Sequence, residues 1–184
     1  MPAEEIQEIG RRGVLGAIQV LWRIFGDAIK LPFNAYDHGP KLTFADLPEC
    51  GGGTFSFDLG GVLQRPNADS FSGAESTDVF VEVKSYADGD GLLVAYKEFL
   101  RRAAVVTKND RYRDTWFVFL ASVPFGTTKG AQLCNGELFT SCRGDWPESL
   151  RGNNDNLYLR ISLLIVTASF DRMLTRWFGD VQRN

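Results

Sequence analysis

Between Glu4 and Ile29 the apolar residues Ile6, Ile9, Val14, Ile18, Leu21, Phe25 and Ile29 recur at three- and four-residue steps. That spacing gathers them on one face and predicts an amphipathic α-helix, closed by Pro32 just past its end. Gly10, Gly13 and Gly16 weaken such a run, and a break near Gly10–Gly13 is an open alternative. Residues 33–53 read as loop and end in Gly51-Gly52-Gly53. Thr54–Leu63 (TFSFDLGGVL) then alternates as a strand. Phe55 and Phe57 take one face, and Thr54, Ser56 and Asp58 the other. The Gly60-Gly61 pair predicts a bend or bulge just after the acid. Residues 64–77 read as a turn or loop. Asp78–Tyr86 (DVFVEVKSY) alternates again, with Val79, Val81 and Val83 opposite Phe80, Glu82 and Lys84.

Asp88-Gly89-Asp90-Gly91 interrupts that strand, and Leu92–Val106 follows with helical periodicity. Thr115–Ser122 (TWFVFLAS) is almost wholly apolar, as a central strand covered on both faces must be. Residues 123–156 carry Gly, Asn, Ser and Pro without a legible period. Leu157–Phe178 predicts a C-terminal helix bearing Leu163, Leu164, Ala168, Leu174, Trp177 and Phe178, although its β-branched start, YLRISLLIV, also suits a strand. The order helix, strand, strand, helix, strand, helix implies one α/β domain over residues 1–184, a central mixed sheet flanked by helices.

Composition narrows the function classes. A chain of 184 residues, 44% hydrophobic and 23% charged, with 14 Phe and 4 Trp, has material for a core without disulfides or structural metal. Its net charge of −3 argues against an avid, free-standing nucleic-acid binder. Phosphate affinity comes from Lys and Arg, so basic charge would have to be local or supplied by a protein partner. Cys50, Cys134 and Cys142 lack CxxC spacing, and with a single histidine, His38, they make no zinc set. The acidic start PAEEIQEIG does not read as a signal peptide, and Ile161–Phe170 falls short of the ~20 apolar residues that span a bilayer. The expectation is a cytoplasmic protein in a reducing setting, with no membrane partner.

The chemistry-bearing residues lie on the two alternating strands. Asp58 precedes Glu82 by 82 − 58 = 24 residues, and hairpin-like pairing would set them side by side. Glu82 and Lys84, two apart on one strand, leave the same face. Two close carboxylates repel unless a cation or a shared proton lies between them. A hard divalent ion takes oxygen ligands and keeps waters, which leaves room for a phosphate oxygen. The metal acidifies one such water for attack, while an ammonium orients it or steadies charge on the phosphate.

The arrangement D58…(V/F)-E82-x-K84 on neighbouring strands, followed by a helix and a buried strand, resembles the PD-(D/E)XK (restriction-endonuclease-like) nuclease superfamily. The resemblance covers about residues 5–122, with 157–178 as a helical extension, and implies an αβββαβ core. It implies metal-dependent hydrolysis of phosphodiester bonds in nucleic acid, DNA ahead of RNA, with Mg²⁺ or Mn²⁺. Asp58, Glu82 and Lys84 would be catalytic. Asp58, Glu82 and the carbonyl of Val83 would bind the metal, with Glu8 (or Glu5) as an auxiliary acid. Phe57 stands where a proline often precedes the first acid, and no QxxxY motif follows. By association, short proteins with this core serve bacterial restriction, phage defence or repair. A larger complex or a homodimer is therefore an expected setting. The alternative is a nuclease-fold subunit that binds or scaffolds without cutting.

Lys97, Arg101, Arg102 and Lys108 lie on or just beyond the helix that flanks this face, and form the expected nucleic-acid-binding patch. A solvated helix face accounts for such a run equally well. Tyr86, Tyr96, Tyr112 and Trp116 are candidates for stacking on bases, with Trp116 better suited to the core. Gly51–Gly53 lacks the GK[ST] of a P-loop, FGTTKG at 125–130 reads as a turn, and DGDG lacks the EF-hand spacing. Asp69, Glu75 and Asp78 are reserve acids.

Overall fold

The computed structural model describes residues 3–65, 75–85, 91–123, 136–151, 157 and 160–167. Helix α1 (Ala3–Phe25) runs unbroken through Gly10, Gly13 and Gly16. Its inward face is formed by Val14, Ala17, Val20 and Leu21, all buried. The helix stops earlier than periodicity predicts. Gly26 takes a positive φ of 58° and opens a 3₁₀ turn, after which Ile29 starts a strand, β1 (Ile29–Asn34). Periodicity counted Ile29 as helical because it is apolar in step; it is buried instead as the first residue of a sheet. Pro32 is tolerated because β1 is the edge strand, where a missing N–H need not break a ladder.

The region read as loop holds ordered elements. Helix α2 (Ala35–Leu42) is capped by Asn34, whose Oδ1 accepts the N–H groups of Tyr36 and Asp37 at 3.1 and 2.9 Å. Strands β2 (Thr43–Ala45) and β3 (Thr54–Ser56) pair antiparallel as a small separate sheet. The main sheet continues with β4 (Leu59–Arg65), β5 (Glu75–Ser85) and, after α3 (Leu92–Thr107), β6 (Trp116–Val123). Helices α4 (Gly136–Gly144) and α5 (Glu148–Arg151) precede β7 (Ile161–Thr167). The order is β1-β4-β5-β6-β7, antiparallel from β1 to β5 and parallel from β5 to β7.

Two further sequence readings are corrected. Thr54–Leu63 is two strands in two sheets, broken at Phe57 and Asp58. Residues 161–167 form a strand rather than part of a helix, because seven consecutive residues pair in register with β6 and extend the sheet. The remainder of the expected helix, from Ala168 to Phe178, lies outside the described residues.

Both sheet faces are covered. Val79, Val81, Val118 and Leu120 pack with α1, while Phe80, Phe117, Phe119 and Ala121 pack with α3, α4 and the small sheet. The strict alternation of β5 and β6 feeds the two cores in turn. The result is an α/β domain with a mixed five-stranded sheet flanked by helices. Among the described residues no helix is long and apolar enough to cross a membrane.

Candidate active site

Asp58 occupies the corner where the chain leaves the small sheet for the main one. Its N–H donates to the Val81 carbonyl and its own carbonyl accepts from Ala35 N–H, both at 2.9 Å. Leu59 pairs with Val81, so one step back along the antiparallel ladder sets Asp58 beside Glu82. Its side chain reaches further, and Oδ2 accepts the N–H of Val83 at 2.7 Å. Three hydrogen bonds with sheet and helix backbone thus hold a carboxylate just before β4, facing β5.

Glu82 is 3% exposed, on the face of β5 that looks toward α3. Its Oε1 lies 2.6 Å from Lys84 Nζ and 3.7 Å from Arg102 Nη1. Its Oε2 is buried with no hydrogen-bond partner. Burial pushes the Asp58 carboxyl up, against the lowering effect of the Val83 N–H, Lys84 and Arg102. Burial pushes Glu82 up as well, reinforced by the charge of Asp58. Tyr36 stands at the same corner, its phenol raised by burial and by Asp58. With both acids ionised, Asp58, Glu82, Lys84 and Arg102 sum to zero charge.

This donor set fits a hard divalent cation. Two adjacent carboxylates strain against each other's charge, and an unpartnered, buried carboxylate oxygen is what such an ion would satisfy. Asp58 and Glu82 would be its side-chain ligands. Among the described residues no group of three or more His, Cys, Asp or Glu side chains gathers to hold a metal, so the remaining positions would fall to water and substrate oxygens. Val83, the expected carbonyl ligand, lies between the two functional residues of β5 and gives its N–H to Asp58.

The other expected residues disperse. Glu8 is exposed and paired with Arg12 at 2.9 Å, outside this group. The side chains of Glu5 and Glu75 lie outside the described residues, as do Tyr86, Asp69, Asp88, Asp90, Cys134 and residues 125–130. Asp78 is half-buried opposite Val62, four residues before Glu82 on β5. Arg101 is taken up internally. Its guanidinium bonds both Asp46 oxygens at 2.7 and 2.8 Å and both Glu98 oxygens at 2.8 and 2.7 Å, and its side chain is 15% exposed. Arg102 is engaged as well, by Glu98 and Glu82, while Lys97 lies on α3 and Lys108 just past its end. Tyr96 is buried, and Trp116 is packed with its Nε1 donating to Ser162 Oγ at 2.9 Å.

Sequence reasoning missed Tyr36, inside a stretch read as loop, where no local period marks it. It set Arg102 on the helix flanking the site without pairing it with Glu82. The four-residue spacing of Glu98 and Arg102, which pair at 3.0 Å, was the available signal that this arginine is held. Comparison with protein-family models, with curated proteins and with solved structures returns no match to this chain.

Proposed function

We propose that this protein is a divalent-metal-dependent nuclease of the restriction-endonuclease-like type, hydrolysing phosphodiester bonds in DNA in preference to RNA. The observation that carries the proposal is the corner where Asp58, just before β4, meets Glu82 on β5, with Lys84 2.6 Å from Glu82 and one buried carboxylate oxygen unpartnered. The elements α1, β1, β4, β5, α3 and β6 support it: with α2 and the small sheet of β2 and β3 inserted between β1 and β4, they follow the αβββαβ order that the resemblance implies. A bound Mg²⁺ or Mn²⁺ would supply Lewis acidity and neutralise charge on the phosphate. Asp58 and Glu82 would hold the ion, and the backbone hydrogen bonds of Asp58 fix its carboxylate in place beforehand. Lys84, with 37% of its side chain exposed, can pass between Glu82 and an incoming phosphate, where it orients the attacking water or offsets developing charge. The net charge of −3 favours action within a bacterial defence or repair assembly whose partner supplies affinity, or as a homodimer.

A second reading has its own observation. Lys84 and Arg102 already neutralise the two acids, which is also what a binding or scaffolding subunit without activity would show. Cleavage of plasmid, linear and single-stranded DNA and of RNA with Mg²⁺ or Mn²⁺ separates the two. Under the nuclease reading the wild type cuts, and Lys84→Ala and Glu82→Ala each lose on the order of 100-fold or more. Cutting that survives both substitutions rules this site out. Nucleic-acid binding without cutting favours the subunit.

A further inference from the structure

The four basic residues on and after α3 divide sharply, and the division singles out Arg102. Arg101 spends its guanidinium on Asp46 and Glu98, so it has no donor edge to offer a ligand. Arg102, the next residue, points toward the sheet. Its Nε is held by Glu98 Oε1 at 3.0 Å, its Cζ lies 5.5 Å from the centre of the Phe55 ring, and its Nη1 reaches to 3.7 Å from Glu82 Oε1. One end is therefore tethered and one face rests on an aromatic ring, while the far edge reaches the acid pair at longer than hydrogen-bond distance. The side chain is 26% exposed, and Lys84 beside it is 37% exposed. A guanidinium so restrained has already lost much of its rotamer freedom, and its planar fork matches two oxygens of a phosphate.

We propose that Arg102 is the phosphate ligand of this site, gripping a backbone phosphodiester of the nucleic acid over the Asp58–Glu82 pair, and that Arg101 takes no part in binding. The inference rests on the nuclease reading for its setting but requires only that a phosphodiester binds here. Glu98 and Phe55 act as positioning residues for the guanidinium. In a chain acidic overall, the placement sets two cations, Lys84 and Arg102, locally beside the site.

The test is anisotropy of fluorescently labelled single-stranded and duplex DNA titrated with the full chain. Ca²⁺ replaces Mg²⁺ so that nothing is cut, and salt runs from about 50 to 200 mM. Arg102→Gln is expected to bind about tenfold more weakly, with the slope of log affinity against log salt reduced by about one. Arg102→Lys keeps the slope and recovers only part of the affinity, because it retains the charge without the fork. A merely structural role would lower the melting temperature and leave the salt slope alone. Equal affinity and slope in a folded Arg102→Gln variant overturns the proposal, as does wild-type protein that binds neither DNA. Should the glutamine variant not fold, an Arg102→Lys variant that binds as tightly as wild type overturns it equally. Wild type that binds through Arg102 but cuts nothing with Mg²⁺ or Mn²⁺ upholds the phosphate ligand and removes the nuclease reading. Wild type that cuts, with Arg102→Gln unchanged in KM and salt slope, does the reverse.

Discussion

At the scale of single residues, the acid pair is held where burial opposes its charge, even with Lys84 and Arg102 beside it. Glu82 is buried beside Asp58, and both carboxyls are raised above their ordinary values of 4.5 and 3.8. A folded-state value above the unfolded one means that the folded protein holds its proton more tightly. That contribution therefore favours folding as pH falls toward 4.5 and opposes it at neutral pH. In chelator, Glu82→Gln is accordingly expected to melt a few degrees above wild type at pH 7, with the gap closing as the solution is acidified. Thermal melts across that range check it, and a variant that melts lower at neutral pH contradicts the electrostatics. Gly10 tests the other side of the corner. A Cβ there would stand 2.2 Å from the Tyr36 hydroxyl, the free end of a rotatable side chain. Gly10→Ala should leave the fold intact, displace Tyr36 from Asp58, and so change the pH at which the Tyr36 phenol ionises, read by ultraviolet titration.

At the scale of elements, glycines decide how closely strands and helices approach. Gly61 lies opposite the irregular stretch of β1 between Lys30 and Phe33, and a Cβ there would fall 1.9 Å from the Lys30 carbonyl oxygen. The expected bulge is real but belongs to the partner strand: β1 carries one extra residue, setting Leu31 and Pro32 against Gly61 alone. Since the clash is with backbone, Gly61→Ala should cost on the order of 2–3 kcal/mol in denaturant unfolding. Gly13 on α1 has open space where its Cβ would be. Gly13→Ala should add about 0.5–1 kcal/mol by helix propensity alone. Opposite signs for two Gly→Ala changes distinguish a spatial requirement from a backbone preference. Elements with unambiguous periods were legible: β5, α3 and β6 fall within three residues of their expected ends. Ile29 and residues 161–167 were not, because a short β-branched run is compatible with either period and pairing with a neighbouring strand decides it.

At the scale of the whole molecule, the small sheet is clamped to α3 by Asp46 and Arg101, 55 residues apart in the chain. Hydrogen bonds from Arg101 hold the Asp46 carboxyl below its ordinary 3.8. A value depressed by folding adds stability above the unfolded value and withdraws it as pH falls through the folded one. Asp46→Asn should cost about 2 kcal/mol at pH 7, since it leaves a largely buried guanidinium short of charge, and the penalty should shrink in acid. Urea unfolding at both ends of that range measures it. What the chain determined by itself is what local chemistry controls. Side-chain alternation put Glu82 and Lys84 on one face, helical spacing set α3 beneath them, and apolar content made β6 a buried strand. Tertiary structure alone decided that Asp58 stands at a corner between two sheets and that adjacent arginines serve different ends. Successive residues on a helix point about 100° apart. Arg101 therefore meets Asp46 and Arg102 meets Glu82, and no local period carries the positions of such distant partners.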